Sequence, residues 1–378
     1  MRGSIGCSLL RVEFTEFLMA FACLAASLLH AGEVQPHDLG PTLAPLINDS
    51  KLPGAVGAIV RGNDIVALGS AGIRKVGDSA PFLATDTIHL GSDTKAMTAI
   101  LIGQLIDKKQ FKFDTPMREI FPDLAAGMNP EKAKVTVRDL LDHNAGFPHD
   151  LNWWTLDATH AKLPAQRRKA VAEALAAPPA QPIGAFFYSN VSYVVLGAIV
   201  ESKTGKAWEE VIQSEIFAPL KMTSAGFGPP GTPGKVDQPW GHSLKNSTLQ
   251  PSQFDNAPVL GPAGTVHCSM SDWCKFVSQI LLAAQGKPAF ISEATFKELT
   301  TPKPKQDYAG GWIIAQRPWA GGLALTHAGS NTTWFCTVWI APQKNFAALI
   351  AINDGSDPAP KVADDGIGKL IEFSGHLP

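Results

Sequence analysis

The chain has 378 residues, and its 32 Lys and Arg residues nearly balance 34 Asp and Glu residues, so its net charge is −2. Hydrophobic residues make up 45% and charged residues 17%, below the roughly 25% charged that is usual for soluble proteins. At roughly 150 residues per domain, the length allows one large domain or two moderate ones. The composition argues against a disordered chain or a coiled coil, and without a long basic run nucleic acid is a poor candidate partner.

An apolar run near the start, from Phe17 to Leu29, is shorter than the roughly 20 residues that a membrane span needs. Small residues follow it, as in a secretory signal. Glu13 and Glu16 stand where a signal carries positive charge, and a buried N-terminal helix is the alternative. We expect residues 1–31 to be a signal peptide, the mature protein to be periplasmic or extracellular, and no stable membrane span to remain.

Three cysteines would remain after cleavage: Cys268, Cys274 and Cys336. An odd number gives no disulfide framework. One bridge is possible in an oxidising compartment, but the apolar surroundings of Cys268 and Cys274 favour buried free thiols.

The first predicted element is a β-hairpin, in which the runs Ala55–Val60 and Ile65–Gly72 flank a turn-rich tetrapeptide. Ser92 then opens a segment whose apolar residues recur at helical spacing up to Lys108. Between about 110 and 255 the pattern is mostly helix and loop. Helices are predicted there over Thr136–Leu141, Pro164–Ala177 and Val191–Lys203.

Strand character returns from Ala324, with strands predicted over 333–340 and 346–352 and a terminal helix over 358–373. This order predicts an α+β fold, a mainly antiparallel sheet flanked by helices with an inserted helical domain. The predicted sheet domain comprises 32–109 and 255–378, and the helical insertion comprises 110–254.

Common metal and phosphate motifs are missing from the sequence. It has no His-Glu-x-x-His and no Cys-x-x-Cys, and its ten histidines are scattered singly. The Gly-x-Ser-x-Gly elbow of the α/β-hydrolases is absent as well. We therefore predict no metal site and no organic cofactor.

Ser92 and Lys95 are three residues apart at the start of the first predicted helix, which places both on one face. Lys95 can activate Ser92 only as a neutral amine, and burial of a lysine lowers its pKa in the required direction. The helix N-terminus adds N–H donors for an oxyanion. Alone, this spacing more often marks an N-cap serine and a solvated lysine.

Two further elements carry candidate chemistry. Tyr188 and Asn190 bring a phenol and an amide to the start of the helix near Val191, although a lone tyrosine is usually a hydrophobic anchor. His327 and Gly329 lie at the edge of a predicted strand, where Gly329 would let a substrate backbone approach closely. By itself this stretch is typical of a strand end with a surface histidine.

Together and in this order, the three elements resemble the serine β-lactamase and penicillin-binding superfamily. The nearest likeness is its class C-like branch, which also holds family VIII carboxylesterases, D-aminopeptidases and D-alanyl-D-alanine carboxypeptidases. The resemblance extends over about Leu39 to Phe373. Similar stretches support it: 140–148, 218–223, 261–264 and 308–312.

The resemblance implies that Ser92 is the nucleophile, Lys95 its partner and Tyr188 a second acid/base. Asn190 would orient substrate, His327 and Gly329 would fill the Lys-Thr/Ser-Gly strand motif, and the backbone N–H groups of Ser92 and Ser330 would form the oxyanion hole. Most β-lactamases have lysine where this chain has His327. An unperturbed imidazole is mostly neutral near pH 7.5, so we expect that it cannot hold a substrate carboxylate as a lysine would.

Three functions follow as hypotheses. The first is a serine hydrolase that forms an acyl-enzyme on small esters or amides, including D-amino-acid peptides. The second is a β-lactamase, and the third is a non-catalytic penicillin-binding-like scaffold. The expected partner is a small-molecule ester, amide or β-lactam, and the sequence leaves the oligomeric state and the natural substrate open.

Overall fold

The computed structural model describes Met1 and residues 35–158 and 161–377. The chain divides into two units, residues 1–36 and 37–378, and all elements below belong to the second. The expected signal peptide falls, Met1 apart, on residues outside the described ranges, so it stays a prediction. Among the described helices, none is both long and apolar enough to cross a membrane.

The strands come mainly from the two ends of the second unit. In chain order they are β1 His37–Asp38, β2 Gly54–Arg61, β3 Asp64–Gly72, β4 Thr87–His89, β5 Gly226–Phe227, β6 Gly241–Lys245, β7 Thr248–Ser252, β8 Val266–Ser269, β9 Tyr308–Ala309, β10 Trp312–Arg317, β11 Gly322–Ser330, β12 Phe335–Ala341 and β13 Phe346–Ile352. The largest sheet has the order β1-β3-β2-β13-β12-β11-β10-β9, and only its β1–β3 pair is parallel. Two small sheets, β4-β8-β5 and β6-β7, accompany it.

Most helices lie in the middle of the sequence. In chain order they are α1 Gly40–Ser50, α2 Thr94–Asp107, α3 Met117–Ile120, α4 Val137–Leu141, α5 Trp153–Asp157, α6 Leu163–Ala176, α7 Asn190–Thr204, α8 Trp208–Ile212, α9 Gly261–Gly264, α10 Met270–Ala284, α11 Glu293–Leu299 and α12 Pro358–Ser374. A 3₁₀ turn, Gly91–Asp93, leads directly into α2. Helix α2 is buried on nearly all sides, whereas a helix with apolar residues on a single face would be buried on that face alone.

The large sheet separates two hydrophobic cores because side chains alternate between its faces. On β2, Val56 and Ala58 belong to the core that contains α2, whereas Ala55 and Ile59 belong to the core that contains α1 and α12. The sheet is therefore covered on both faces. The larger core holds the helices of the middle segment and carries the candidate site.

The predicted α+β class is confirmed, with an antiparallel sheet and flanking helices. The first hairpin is confirmed as β2–β3, and α4 begins at the Thr136 capping box. The predicted strand from residue 333 begins two residues later as β12, because the Asn331 side chain accepts hydrogen bonds from Thr333 N and Trp334 N and holds a turn there.

Strand character also begins earlier than Ala324. Strands β9 and β10 precede that residue, and β5 and the β6–β7 hairpin lie in the segment expected to be mostly helix and loop. Strand β10 is only partly buried at Ile314 and Ala315, which weakens its hydrophobic pattern. Residues 37–378 form one unit, so the domain boundaries at 109 and 254 stay a prediction.

Candidate active site

Ser92 lies in the 3₁₀ turn between β4 and α2, where its side chain is only partly buried. The preceding Gly91 has a φ of +49°, a conformation that side chains other than glycine's rarely adopt. An ideal Cβ on Gly91 would also lie 2.4 Å from the Ser330 backbone nitrogen. Glycine at this position therefore lets the end of β11 pack directly against the turn that presents Ser92.

Lys95 is fully buried in the first turn of α2, and three oxygen atoms surround its amine. Nζ lies 3.0 Å from Ser92 Oγ, 2.8 Å from Asn190 Oδ1 and 2.7 Å from the Ala263 carbonyl oxygen. Burial lowers the pKa of Lys95 to about 7, and the negative charges of Asp150 and Asp93 oppose part of that decrease. A large neutral fraction is therefore present at physiological pH.

The three partners of Lys95 also orient its neutral form. Asn190 Oδ1 and the Ala263 carbonyl can only accept hydrogen bonds, whereas a serine hydroxyl can donate one. A neutral amine has two N–H groups and one lone pair. With its N–H groups directed to Asn190 and Ala263, the lone pair is left for the Ser92 hydroxyl proton, which is the arrangement a general base requires.

Tyr188 lies half-buried next to this pair, and its ring centroid is 4.9 Å from Lys95 Nζ. Burial raises the pKa of Tyr188 well above its ordinary value, although a hydrogen bond with the Ser92 side chain acts in the opposite direction. The phenol is therefore protonated at neutral pH. It can donate a proton beside Ser92, whereas Lys95 is the better base.

The ring of His143 supports Tyr188 from behind. Its centroid lies 4.4 Å from that of Tyr188, 4.7 Å from Tyr308 and 5.1 Å from Tyr193, and its Nδ1 accepts a hydrogen bond from the Ser189 backbone. Burial lowers the pKa of His143 well below its ordinary value, so the ring is neutral and can accept that bond. The loop that carries His143 therefore packs against Tyr188 and is tied to the backbone at Ser189.

Asn190 begins α7, and its amide links two charged groups. Oδ1 accepts from Lys95 Nζ, and Nδ2 donates to Asp150 Oδ1 at 2.9 Å. These partners fix which end of the amide faces each neighbour. The predicted contact of Asn190 with substrate stays a prediction, because the amide is engaged at both ends here.

The structure gives a packing reason for glycine at position 329. An ideal Cβ at this position would lie 2.0 Å from the Leu90 carbonyl oxygen and 2.9 Å from Ser92 N. The backbone that approaches Gly329 closely is thus the chain's own turn, and the approach of a substrate backbone to Gly329 stays a prediction. The same packing brings the backbone nitrogens of Ser92 and Ser330 into one neighbourhood, as an oxyanion hole requires.

His327 lies under this junction on β11, with only 4% of its surface exposed. Nδ1 is 3.1 Å from Asp93 Oδ1, and Nε2 is 3.3 Å from the Tyr308 hydroxyl. Both ring nitrogens are therefore engaged, and a substrate carboxylate would have to displace one partner. The role of His327 as a substrate contact stays a prediction.

Sequence reasoning missed three participants: Asp93, Asp150 and the Ala263 carbonyl. Asp93 lies between Ser92 and Lys95 in the sequence, and its side chain is buried in the structure. Its carboxylate is 3.0 Å from Cys336 Sγ. The sequence feature that could have identified Asp93 is an acidic residue within the Ser-x-x-Lys motif.

Cys268, Cys274 and Cys336 are buried and free, as the apolar surroundings of the first two suggested.

No group of three or more His, Cys, Asp or Glu side chains within residues 35–158 and 161–377 is arranged to hold a metal ion. The site's chemistry is built from hydroxyl, amine, phenol and amide groups. Comparison with known proteins agrees with this composition, since the model of the family described as Beta-lactamase matches residues 40–371. The chain belongs to the Beta-lactamase family.

Individual relatives are distant. Protein flp of Staphylococcus aureus (strain COL) is 23% identical over 320 residues, which are 83% of this chain and 62% of flp, so the chain spans less than two thirds of that relative. A penicillin-binding protein homologue from Pyrococcus abyssi, described as octameric, superposes with a TM-score of 0.70 at 23% identity, covering 88% of this chain and 75% of the homologue. A D-stereospecific amidohydrolase from Streptomyces superposes with a TM-score of 0.68 at 22% identity, and the match covers 89% of this chain and 97% of the amidohydrolase. These structural likenesses show the fold.

Proposed function

We propose that this Beta-lactamase family member is a serine hydrolase that forms an acyl-enzyme on Ser92 with small ester or amide substrates, including D-amino-acid peptides. The observation that carries the proposal is the arrangement of Lys95. Its buried amine has a pKa of about 7, two acceptor-only oxygens for its N–H groups, and Ser92 Oγ at 3.0 Å. A scaffold without catalysis would not need a buried amine in this arrangement.

In the first half of the reaction, Ser92 Oγ attacks the substrate carbonyl carbon and its proton passes to neutral Lys95. The backbone N–H groups of Ser92 and Ser330 stabilise the oxyanion. Tyr188 donates a proton to the leaving group and recovers one from Lys95. In the second half, water attacks the acyl-enzyme, a proton passes through the same pair, and Ser92 is released with the acid.

Esters and amides without a carboxylate should be favoured over carboxylate-bearing β-lactams. The imidazole of His327 is buried and bonded to Asp93 and Tyr308, so it is not free to bind a substrate carboxylate. The fold shared with the D-stereospecific amidohydrolase supports amide substrates of the D-amino-acid type. Faster turnover of a cephalosporin than of short esters or D-alanyl peptides would favour the β-lactamase hypothesis instead.

Labelling with a fluorophosphonate, read by intact mass, tests the nucleophile. We expect one added phosphonyl group on the wild type and on Ser214→Ala, and none on Ser92→Ala. Ser214 is a suitable control because it is exposed and its hydroxyl donates to the Val211 carbonyl, three residues away in sequence. Loss of the Ser92 hydroxyl should leave the fold intact, because the Ser92 side chain does not cap the 3₁₀ turn or the helix that follows it. Labelling of Ser92→Ala would place the nucleophile elsewhere.

We further propose export to the periplasm or cell exterior, on the strength of the apolar run from Phe17 to Leu29. Expression of the full chain in a bacterial host, followed by fractionation and intact mass, tests this. A mature mass that lacks about the first 31 residues is expected in the exported fraction. Full-length protein confined to the cytoplasm would contradict export.

A further inference from the structure

Asp150 lies one amide away from the lysine of the site. Its Oδ1 accepts a hydrogen bond from Asn190 Nδ2 at 2.9 Å, and Asn190 Oδ1 in turn accepts from Lys95 Nζ at 2.8 Å. Lys95 then reaches Ser92 Oγ at 3.0 Å. A continuous row of hydrogen bonds thus joins this carboxylate to the nucleophile, and the proposed reaction gives Asp150 no role.

The carboxylate of Asp150 is held rigidly yet remains accessible. Trp153 Nε1 donates to the same Oδ1 at 2.8 Å, and His149 Nδ1 lies 2.5 Å from Oδ2. Burial acts to raise the pKa of Asp150, but hydrogen bonds from Trp153, Asn190 and His149 together keep it below its ordinary value. The side chain is 40% exposed, and the described residues supply three hydrogen-bond partners to a carboxylate that can accept about four hydrogen bonds.

The charges around Ser92 favour a positive substrate group at this place. The carboxylates of Asp150 and Asp93 both act electrostatically on Lys95 and Tyr188. Asp93 is buried and bonded to His327, whereas Asp150 is open to solvent. Asp150 is therefore the carboxylate that an incoming ligand can reach.

We propose that Asp150 binds the free amino group of the substrate. In an α-amino acid the ammonium nitrogen is two bonds from the carbonyl carbon, so a group attacked by Ser92 would carry its ammonium close to the row that ends at Asp150. The preferred acyl donors are then amino-acid esters, amino-acid amides and short peptides with a free N-terminus. This inference rests on the proposed function and names its substrate class.

His149 is the side chain that competes with a substrate ammonium for Asp150. Its ring is 55% exposed, and its Nδ1 lies 2.5 Å from Asp150 Oδ2, one of the two oxygens that the ammonium would use. The substitution His149→Gln removes that competitor and leaves an N–H donor for Oδ2. If a substrate ammonium binds Asp150, the His149→Gln enzyme should keep or increase its preference for substrates that carry an ammonium group.

The experiment compares kcat/KM for methyl D-alaninate and methyl D-lactate at pH 7, two esters that differ mainly in an ammonium against a hydroxyl. The ratio of the two values is measured in the wild type, Asp150→Asn, His149→Gln and Asp365→Asn. Asp365 is a matched control because it is a half-exposed carboxylate on α12, paired with Lys361. A ratio within one enzyme cancels the effect that Asp150 has on Lys95.

We expect the ratio to fall roughly ten- to a hundredfold in Asp150→Asn, as for loss of a hydrogen bond between charged groups. Asp365→Asn should match the wild type. An unchanged ratio in Asp150→Asn, with both esters still hydrolysed and Ser92 still labelled, would overturn the role of Asp150 and leave the proposed function standing. An equal fall in His149→Gln would also overturn it, and absence of both turnover and labelling in the wild type would overturn both proposals.

Discussion

Lys95 and Lys132 are both completely buried, and they have opposite surroundings. Lys95 Nζ has three oxygen partners, one of them the Ser92 hydroxyl. Lys132 Nζ has no hydrogen-bond partner among the described residues and lies 3.8 Å from the centroid of the Phe147 ring. Burial lowers the pKa of both amines, to about 7 for Lys95 and to about 8 for Lys132.

The contrast shows that a lowered pKa alone does not identify a catalytic lysine. Both amines lose hydration, which disfavours the ammonium. Only Lys95 also has a nucleophile within hydrogen-bond distance and acceptors that direct its lone pair toward it. Within the part of the chain that the structure describes, the charge of Lys132 is stabilised by the face of the Phe147 ring, an interaction of about 0.5–2 kcal/mol.

The largest expected effect is on turnover when Lys95 is replaced. Lys95→Met should lower kcat/KM for short esters by about 10²–10⁴, because Ser92 loses its general base. Lys132→Met is the matched control and should retain wild-type turnover. Hydrolysis of p-nitrophenyl acetate measures both. Near-normal acylation in Lys95→Met, together with its loss in Tyr188→Phe, would show that the two roles are reversed.

Tyr188→Phe should have a smaller effect that depends on the leaving group. A p-nitrophenolate leaves without help, whereas a methoxide needs a proton, and the raised pKa of Tyr188 keeps that proton available. We expect a loss of about tenfold for p-nitrophenyl esters and about a hundredfold or more for methyl esters. Equal losses for both would argue against proton donation by Tyr188.

Lys132→Met should stabilise the fold. The folded-state pKa of Lys132 is lowered from 10.5 to about 8, so folding disfavours the ammonium. The penalty is complete below about pH 8 and disappears as the pH rises past the unfolded-state value near 10.5. We expect a gain of about 1–3 kcal/mol at pH 7. Thermal unfolding at pH 7 and pH 10 measures it, and a gain that did not shrink at pH 10 would contradict this account.

The smallest expected effect is a shift in a pH profile. The negative charge of Asp150 raises the pKa of Lys95 and so opposes the effect of burial. The pKa of Lys132 is lowered by burial. Asp150→Asn should therefore lower the pKa of Lys95 and move the acidic limb of methyl D-lactate hydrolysis to lower pH. The pH dependence of kcat/KM measures this. A shift to higher pH would contradict the electrostatic role assigned to Asp150.

The sequence predicted the parts of the site that depend on local spacing and on a shared motif order. Ser92 and Lys95 are three residues apart on one helix, so their contact follows from helix geometry. The resemblance assigned Asn190 to the same site as Lys95, but the hydrogen bond between the two side chains was not predicted. The fold class followed from the order of strands and helices.

The remaining contacts depend on packing between distant segments. The Ala263 carbonyl lies 168 residues from Lys95 in sequence, and a backbone atom carries no residue-type signal. Lys132 stands in the stretch Glu-Lys-Ala-Lys, a pattern typical of a solvated turn, yet the surrounding helices bury it. Tertiary packing determined the burial of Lys132, and local composition gave no indication of it.

The rate at which a fluorophosphonate modifies Ser92, measured from pH 5.5 to 9.5, distinguishes the two lysines in one experiment. Because Lys95 must be neutral to accept the proton, the second-order rate constant should rise as the pH passes about 7. The same midpoint is expected in Lys132→Met, and Lys95→Met should react slowly with no step near that pH. A flat profile in the wild type, or a midpoint that moves in Lys132→Met, would contradict the assignment of Lys95 as the base.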